Sequence, residues 1–212
     1  MSTMTAVNEL TLRQFVEQLG ARTPTPGGGA VAGVAAAMAA SLTRMVVNYS
    51  IGRRALAEHE QFHRASLEEL QQLESRALDL ADEDARAYAK FNALWKLDQA
   101  DPHRTREWDA AVLEAIEVPR CVMQVCLDIV NLQIELVRTV NMSLKSDLAI
   151  AGILAHAAAQ AAMWNVRVNL AHVDDDKRRL KLHTDCHGLL DRVETSRKEV
   201  ELQCDPDAPH EA

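Results

Sequence analysis

Residues 27–48 read GGGAVAGVAAAMAASLTRMVVN, and residues 147–165 read DLAIAGILAHAAAQAAMWN. Both stretches are dominated by alanine, which has the highest intrinsic helix propensity of any residue. Small side chains let two helix backbones approach closely, so two Ala-rich helices in one chain are expected to pack on each other. These stretches therefore predict an all-α protein: a single-domain helical bundle of about six to seven helices, with two close-packed Ala-rich helices at its centre.

The composition of the remaining chain agrees with long helices. Of 212 residues, 48% are hydrophobic and only 4% aromatic, while Gly and Pro number 8 and 6, below their usual shares. Few helix breakers disfavour a β-sandwich, which needs frequent turns. The net charge of −8 disfavours a nucleic-acid partner, because a protein that binds phosphates normally carries excess positive charge.

Polar caps and breakers divide the chain into helices. Thr11 and Gln14 form a T-x-x-Q capping box, and Pro102 suits a first helical position. Pro119 is expected to kink or divide its helix. We predict helices at 11–19, at 29–48, between Gly52 and Pro102 with a possible break, from 102 to 140, at 147–170, and from 174–176 to about 203. The domain is expected to cover residues 9–203, with flexible termini at 1–8 and 204–212.

Cysteine spacing and hydropathy bear on the compartment. The four cysteines lack C-x-x-C spacing and are expected to be buried free thiols. The N-terminus has neither a basic nor an apolar signal region. The longest uncharged run, residues 23–43, opens with two prolines and three glycines and suits a membrane poorly. We therefore expect a cytoplasmic protein without a membrane partner.

A heptad stripe in the third helical segment contains two carboxylates. Its members recur every three or four residues, as in packed helix bundles: Leu67, Leu70, Glu74, Ala77, Ala81, Asp84, Tyr88, Phe91 and Trp95. A buried carboxylate is costly unless it has a partner or lines a cavity. A stripe that frays at the bundle edge would explain both acids, and a polar pocket near Asp84 is the alternative.

Several other polar groups have both a structural and a functional interpretation. The glycine loop that opens the second helix could bind an anion or carbonyl, or could be a tight turn. Ser146 and Asp147 suit an ordinary N-cap. Asn165 and Asn169, with Arg167, could bind a polar heterocycle or carboxylate, or could simply be a polar helix end. The pairs His59/His63 and His183/His187 are expected on solvated faces.

Several motifs, taken together and in order, resemble the cyclodeaminase/cyclohydrolase family over about residues 9–203. They are Pro-Thr-Pro-Gly-Gly-Gly-Ala at 24–30, Met-Val-Val-Asn-Tyr-Ser-Ile-Gly-Arg at 45–53, Asp-Glu-Asp-Ala-Arg-Ala-Tyr at 82–88, Glu-Val-Pro at 117–119, Ser-Asp at 146–147 and Asn-Val-Arg-Val-Asn-Leu at 165–170. The family's usual Gly-Asn-x-Asn-x-Ile-Ser-Asp is here Val-Asn-Met-Ser-Leu-Lys-Ser-Asp at 140–147.

The resemblance implies a helical homodimer that takes a tetrahydrofolate derivative as substrate, with no metal and no permanently bound cofactor. It also implies that Asp147 is the catalytic acid/base. The glycine loop would line the folate site, and further family positions would contact substrate. These substrate-binding positions are Gly27, Gly28, Gly29, Asn48, Arg53, Asp84, Ser146 and Asn165.

Three functions follow from the resemblance. The favoured one is hydrolysis of 5,10-methenyltetrahydrofolate to 10-formyltetrahydrofolate, because the chain carries no formiminotransferase half. The second is formiminotetrahydrofolate cyclodeamination with release of ammonia, and the third is a non-catalytic folate-binding or interaction protein. For either enzyme activity, we expect the N-termini of both Ala-rich helices to meet at one pocket together with Asp84, within the subunit or across its dimer. Arg53, Arg54 and Arg167 would supply positive charge for the glutamate end of folate.

Overall fold

The computed structural model describes residues 6–205 and residue 207. In this part of the chain there are six α-helices and no strands, which confirms the predicted all-α class. The helices are α1 (Leu12–Leu19), α2 (Gly28–Asn48), α3 (Glu60–Trp95), α4 (Pro102–Leu136), α5 (Lys145–Leu170) and α6 (Asp176–Cys204). A short 3-10 turn (Arg54–His59) separates α2 from α3 and is the break expected there.

Side-chain caps begin three of these helices. The Thr11 hydroxyl accepts a hydrogen bond from the Gln14 backbone N–H, and the Gln14 side-chain oxygen accepts one from the Thr11 backbone N–H, so the predicted capping box is present. Asp101 caps α4 directly before Pro102, and Asp175 caps α6. In each case an acceptor oxygen satisfies N–H groups that lack a partner in the first turn.

Pro119 was expected to kink or divide its helix, and helix α4 continues through it, so the division does not occur. Proline lacks the N–H that would bond to the carbonyl four residues earlier, here that of Ala115. The side chain of Asn169 in α5 supplies the missing donor, since its Nδ2 lies 2.9 Å from the Ala115 oxygen. A side chain of the neighbouring helix α5 thus satisfies the carbonyl oxygen that the proline leaves without a hydrogen bond.

The two Ala-rich helices pack against each other at the centre of the bundle, as predicted. Helix α2 lies between α3 and α5, and α5 also packs on α4 and α6. They run antiparallel, because Gly28 at the start of α2 faces Asn165 near the end of α5. At the other end, the backbone N–H of Asn141, just before α5, donates to the Ser50 hydroxyl, just after α2.

Glycine allows α2 to approach α3 closely. A Cβ on Gly33 would lie 2.7 Å from the Ala77 carbonyl oxygen and 2.9 Å from the Ala81 Cβ. Neither contact can be accommodated without moving backbone, so the absence of a side chain at Gly33 sets the spacing of the two helices.

The main core is built from the inner faces of α2 to α6, and a second buried cluster lies at the end of the bundle near Val46 and Leu148. Cys126, Cys186 and Cys204 are buried, Cys121 is half-buried, and all four are free thiols. The predicted flexible ends fall largely outside the described residues. In the described part of the N-terminal end, the Val7 backbone N–H donates to the Asp82 carboxylate in α3.

Candidate functional site

A cavity of about 260 Å³ lies where the start of α2 meets α3 and the end of α5. The loop before α2 forms one wall, α3 forms a second, and α5 forms a third, with Ala115 of α4 between them. Its lining residues are Pro24, Thr25, Gly27, Gly28, Gly29, Asp84, Ala87, Tyr88, Phe91, Ala115, Asn165, Val168 and Asn169. Of the predicted site residues, the three glycines, Asp84 and Asn165 therefore come together.

The glycine loop lets a carboxylate lie directly on the first turn of α2. A Cβ on Gly29 would fall 2.0 Å from both Cγ and Oδ1 of Asp84, so only glycine fits at this position. A Cβ on Gly28 would instead lie 3.7 Å from the Asn165 side-chain oxygen, an ordinary contact. The two adjacent glycines thus face different walls of the cavity. Gly27 is the N-cap of α2 and adds no side-chain cap of its own.

Asp84 is a partly desolvated acid. Its burial raises the pKa of the carboxyl to about 6, because the charged form loses water without gaining a compensating positive neighbour. Of the two explanations for the acids on the α3 stripe, the polar pocket therefore applies to Asp84. Glu74, the other acid, is explained differently, since it accepts a hydrogen bond from Ser41 and forms an ion pair with Arg44 of α2.

The amides of Asn165 and Asn169 share one face of α5 and both line the cavity. Asn165 Nδ2 lies 3.4 Å from the Ala161 carbonyl oxygen in its own helix, and Asn169 is bonded to Ala115. Arg167 points elsewhere: it is exposed, its guanidinium stacks over the Trp164 ring, and one nitrogen lies 3.3 Å from His187 Nε2. Within the subunit, only the two amides of the expected group line the cavity, and Arg167 does not.

Asn48, Arg53, Ser146 and Asp147 lie at the opposite end of the antiparallel helix pair. Asn48 ends α2, and the exposed Arg53 donates from Nε to the Tyr49 carbonyl oxygen. Asp147 is 18 residues before Asn165 in α5, a distance of about 27 Å along the axis. The expected meeting of both helix N-termini does not occur within one subunit, because antiparallel packing puts them at opposite ends.

The predicted N-cap role of Ser146 and Asp147 is also wrong. Helix α5 begins at Lys145, Leu144 is at the N-cap position, and both polar residues lie inside the first turn. Lys145, which replaces an apolar position of the family pattern, donates from Nζ to the Gln203 carbonyl oxygen at the end of α6. This substitution thus ties together two helix ends.

The histidine pairs differ from each other. His63 is fully buried, with Nε2 3.2 Å from the Thr139 hydroxyl, so the expected solvated position is wrong for this residue. Burial lowers the pKa of His63. His183 is exposed, and its ring lies against that of His187, with centroids 4.4 Å apart and planes tilted by 50°. Within residues 6–205 and 207, no three His, Cys, Asp or Glu side chains are grouped so as to hold a metal ion.

Several lining residues of the cavity were absent from the predicted site, among them Tyr88, Phe91 and Ala115. Tyr88 and Phe91 follow Asp84 by four and seven residues, so the stripe that singled out Asp84 carried the signal for both. Ala115 carries no chemical signal in the sequence. Phe91 also begins an aromatic cluster, since its ring centroid lies 5.1 Å from that of Trp108 and 5.2 Å from that of His172.

Comparison with known proteins identifies the fold family. Residues 11–188 match the family model described as formiminotransferase-cyclodeaminase. The chain belongs to this family. A crystal structure of formiminotetrahydrofolate cyclodeaminase from Thermotoga maritima superposes on this family member with a TM-score of 0.87 and 29% identity, covering 93% of this chain and 97% of that one.

Curated relatives of this formiminotransferase-cyclodeaminase family member carry two names. Mouse formimidoyltransferase-cyclodeaminase is 30% identical over 191 residues, which is 88% of this chain but 35% of the mouse protein. The chain therefore spans about a third of that relative. Methenyltetrahydrofolate cyclohydrolase of Methylorubrum extorquens is 29% identical over 169 residues, 78% of this chain and 81% of that protein.

The exposed sides of α2 and α5 are largely apolar, and the Arg167 guanidinium lies over the Trp164 ring at one end. No charged residue occurs in α2 before Arg44, or in α5 between Asp147 and Arg167. Large apolar side chains are nevertheless exposed there: Val31, Met38, Ile150, Ile153, Trp164 and Val168. We call this set the α2/α5 face. By length and composition the segments Gly28–Asn48 and Met142–Leu170 could also cross a membrane, although 56% and 44% of their apolar windows are buried in the bundle.

Proposed function

We propose that this protein is a folate enzyme that hydrolyses 5,10-methenyltetrahydrofolate to 10-formyltetrahydrofolate in the cavity at the start of α2. The main support for this proposal is the carboxylate of Asp84 in a cavity lined by glycines and two amides. The chain that forms this cavity belongs to the formiminotransferase-cyclodeaminase family. The relative from M. extorquens, which this chain matches over most of its length, is named for the same reaction.

The cavity suits the pterin end of a folate. A pterin offers a flat ring with amide-like edges, and the Asn165 amide and a glycine-lined helix start provide donors and acceptors of matching kind. Tyr88 and Phe91 add aromatic surface for the ring. At about 260 Å³, the cavity is below the usual range of roughly 300–1,000 Å³ for a small-molecule site. The benzoylglutamate part would therefore extend outside.

Cyclodeamination of 5-formiminotetrahydrofolate is the second candidate. The observation that favours it is the structural similarity to the T. maritima cyclodeaminase, which extends over 97% of that chain. Both reactions pass through a tetrahedral carbon between N5 and N10, and both need a group that moves protons there. The same cavity therefore suits either substrate, and the departing group distinguishes them: a ring nitrogen in hydrolysis, ammonia in cyclodeamination.

A single pair of assays tests this proposal. Purified protein is given 5,10-methenyltetrahydrofolate, and the loss of near-UV absorbance is followed against buffer. In parallel, ammonia release from 5-formiminotetrahydrofolate is measured. Acceleration of the first reaction supports the cyclohydrolase, and acceleration of only the second would assign the cyclodeaminase. No acceleration of either, with no folate binding by calorimetry, would contradict folate catalysis and leave the non-catalytic alternative.

We further propose that the enzyme is a homodimer that pairs through the α2/α5 face. An exposed apolar patch of this kind is typical of a protein–protein interface, and most closed dimers pair the same patch of both subunits. A two-fold axis perpendicular to the helices would reverse the second copy end to end. It would thereby carry the partner's Asp147 and the partner's Arg53 towards the cavity of the first copy, joining the two separated groups of predicted site residues.

Mixing two inactive variants tests the shared site. Asp84→Asn removes the cavity carboxylate, and Asp147→Ala removes the distant one. When the two variants are unfolded together and refolded, half of the dimers are mixed, and each mixed dimer has one intact site. We expect about one quarter of wild-type activity to return. An inactive mixture whose exchange of subunits has been verified by mass spectrometry would contradict the shared site.

A further inference from the structure

We propose that Asn169 is a specificity-determining residue whose side-chain oxygen accepts a hydrogen bond from the donor edge of the substrate ring. Pro119 of α4 is its positioning residue and acts on it from outside the cavity. This inference rests on the proposed folate function and adds to it how the cavity recognises the ring. Neither residue is among the substrate-binding positions that the family resemblance implied.

The first observation is a backbone carbonyl that α4 leaves without its helical partner. Pro119 lies inside α4 and has no N–H, so nothing in the helix bonds to the Ala115 oxygen from four residues later. The Asn169 side chain supplies a donor instead, with Nδ2 2.9 Å from that oxygen. Ala115 and Asn169 both line the cavity. This hydrogen bond therefore holds the Asn169 amide in one orientation at the cavity wall.

The second observation is that both amides of α5 are held by their nitrogens. Asn165 Nδ2 lies 3.4 Å from the Ala161 carbonyl oxygen, and its Oδ1 is the nearer amide atom to the Cβ site of Gly28. Among the described residues, no donor pairs with the side-chain oxygen of Asn165 or Asn169, and neither oxygen is fully buried. The α5 wall thus offers a ligand two acceptor oxygens in fixed positions.

The facing wall has the opposite polarity. Helix α2 begins at Gly28, and the backbone N–H groups of a first helical turn have no acceptor within the helix. Gly27 occupies the N-cap position and adds no side-chain acceptor for them. A ligand between the two walls is therefore best matched when it presents donors to α5 and acceptors to α2.

A 2-amino-4-oxo pterin has this arrangement of groups. Its 2-amino group and its N3–H donate along one edge of the ring, and its C4 carbonyl oxygen accepts beside them. With the donor edge towards Asn165 and Asn169, the C4 carbonyl faces the start of α2. N5 lies on the same side of the ring as that carbonyl. It is thereby turned towards the Asp84 carboxylate, which is seated against Gly29.

Pro119 prevents the Asn169 amide from turning over. With any other residue at position 119, a backbone N–H would bond to the Ala115 carbonyl, and either end of the amide could face the cavity. Proline removes that competing donor. A reversed amide would then set its oxygen against the oxygen of Ala115, which is buried. Leaving a buried acceptor without a donor is costly, so the amide oxygen stays directed to the ligand.

The test compares the binding of tetrahydrofolate with that of its 2-oxo analogue, in which a carbonyl acceptor replaces the 2-amino donor. Calorimetry under nitrogen measures each Kd. We expect the wild type to bind tetrahydrofolate roughly 10–100-fold more tightly, because the analogue sets oxygen against oxygen. Asn169→Ala should lose most of this preference, and its KM for 5,10-methenyltetrahydrofolate should rise while kcat changes little. Gln124→Ala, which removes an α4 amide bonded to Asp128, is the control and should keep the preference.

Further variants separate recognition from stability. Asn169→Ala leaves the Ala115 carbonyl without a donor, so the urea midpoint of unfolding should fall. In the double variant Pro119→Ala/Asn169→Ala, the new backbone N–H supplies that donor. The midpoint should therefore recover while the preference for tetrahydrofolate stays lost. Pro119→Ala alone should remain folded and show a smaller preference than the wild type, because its Asn169 amide is free to turn over.

The outcomes distinguish this inference from the proposed function. Equal binding of the two ligands by the wild type would overturn the inference while folate turnover stands. A preference that survives Asn169→Ala but is lost in Asp84→Asn would assign ring recognition to the carboxylate and also overturn it. So would a double variant that regains the preference together with the midpoint. A wild type that binds neither ligand and turns over neither folate would overturn the proposed function itself.

Discussion

The contact between Gly29 and Asp84 controls the shape of the cavity at the scale of single residues. We expect Gly29→Ala to displace the Asp84 carboxylate, because the new methyl group would lie 2.0 Å from its Cγ. Misplacing a catalytic group by about 1 Å can cost roughly 100-fold in kcat/KM. The matched change Gly28→Ala meets only the Asn165 side chain at 3.7 Å and should be tolerated much better. Steady-state kinetics of both variants measures the difference.

Equal losses in the two variants would contradict this account of the loop. They would mean that both glycines are needed for backbone conformation or for a common ligand contact, and that the position of the Asp84 carboxylate is not what Gly29 protects.

The same carboxylate should make stability depend on pH. Its folded pKa of about 6 exceeds the ordinary value of 3.8, so the ionised form is penalised by folding. This penalty is full above about pH 6 and fades as pH falls towards 3.8. We therefore expect Asp84→Asn to raise the free energy of unfolding by about 1–2 kcal/mol at pH 8, after allowing for partial exposure. Urea unfolding at pH 8 and pH 5 measures this, and a gain that grows at pH 5 would refute it.

Helix spacing, at the scale of elements, depends on Gly33. We expect Gly33→Ala to lower the free energy of unfolding by about 1–3 kcal/mol, because its methyl group would overlap the α3 backbone at Ala77. Gly188→Ala in α6 is the control: nothing lies within 4 Å of its Cβ position. That change should stabilise the protein by about 0.5–1 kcal/mol through helix propensity. Chemical denaturation measures both changes in the free energy of unfolding. If both variants were stabilised or both destabilised, the close approach of α2 and α3 would be contradicted.

Local patterns predicted the elements well but left open whether the helix continues through Pro119. The capping box at Thr11, the helix start at Pro102 and the alanine runs act within one helix turn or one helix face, so they can be predicted from the local sequence. The donor that satisfies the Ala115 carbonyl comes from Asn169, more than fifty residues away. No local rule connects that amide with that proline, so the sequence alone could not decide between a kink and a division at Pro119.

At the scale of the whole molecule, the α2/α5 face should hold two copies together. Ile153, a residue of this face, is 49% exposed in the single subunit. Ile153→Arg would therefore bury a charge without a partner in the dimer. We expect the solution mass by light scattering to fall from that of a dimer to that of a single chain, with loss of activity. Leu180→Arg, on the exposed side of α6, should leave the solution mass and the activity unchanged. A wild-type protein that is already a monomer, or that partitions into lipid vesicles through this face, would contradict the dimer.

The candidate site was predictable in part for a similar reason. Asp84 stood out as an acid on an apolar stripe, and the triple glycine stood out as a helix start, so both were found from local sequence. The place of Asp147 depends on whether α2 and α5 run parallel or antiparallel. Alanine content predicts that two helices pack closely but carries no information about their relative direction. The N-termini expected to meet are therefore found about 27 Å apart within the subunit.

A crystal structure of the protein with bound 5,10-methenyltetrahydrofolate, or with a stable analogue of it, would show whether folate binds in the cavity at the start of α2. We expect the pterin ring to lie between the glycine loop and Asn165, with the carbon between N5 and N10 within one water molecule of the Asp84 carboxylate. A folate bound elsewhere, for example between α5 and α6 beside Arg167 and Leu180, with the Asp84 cavity unchanged, would contradict it.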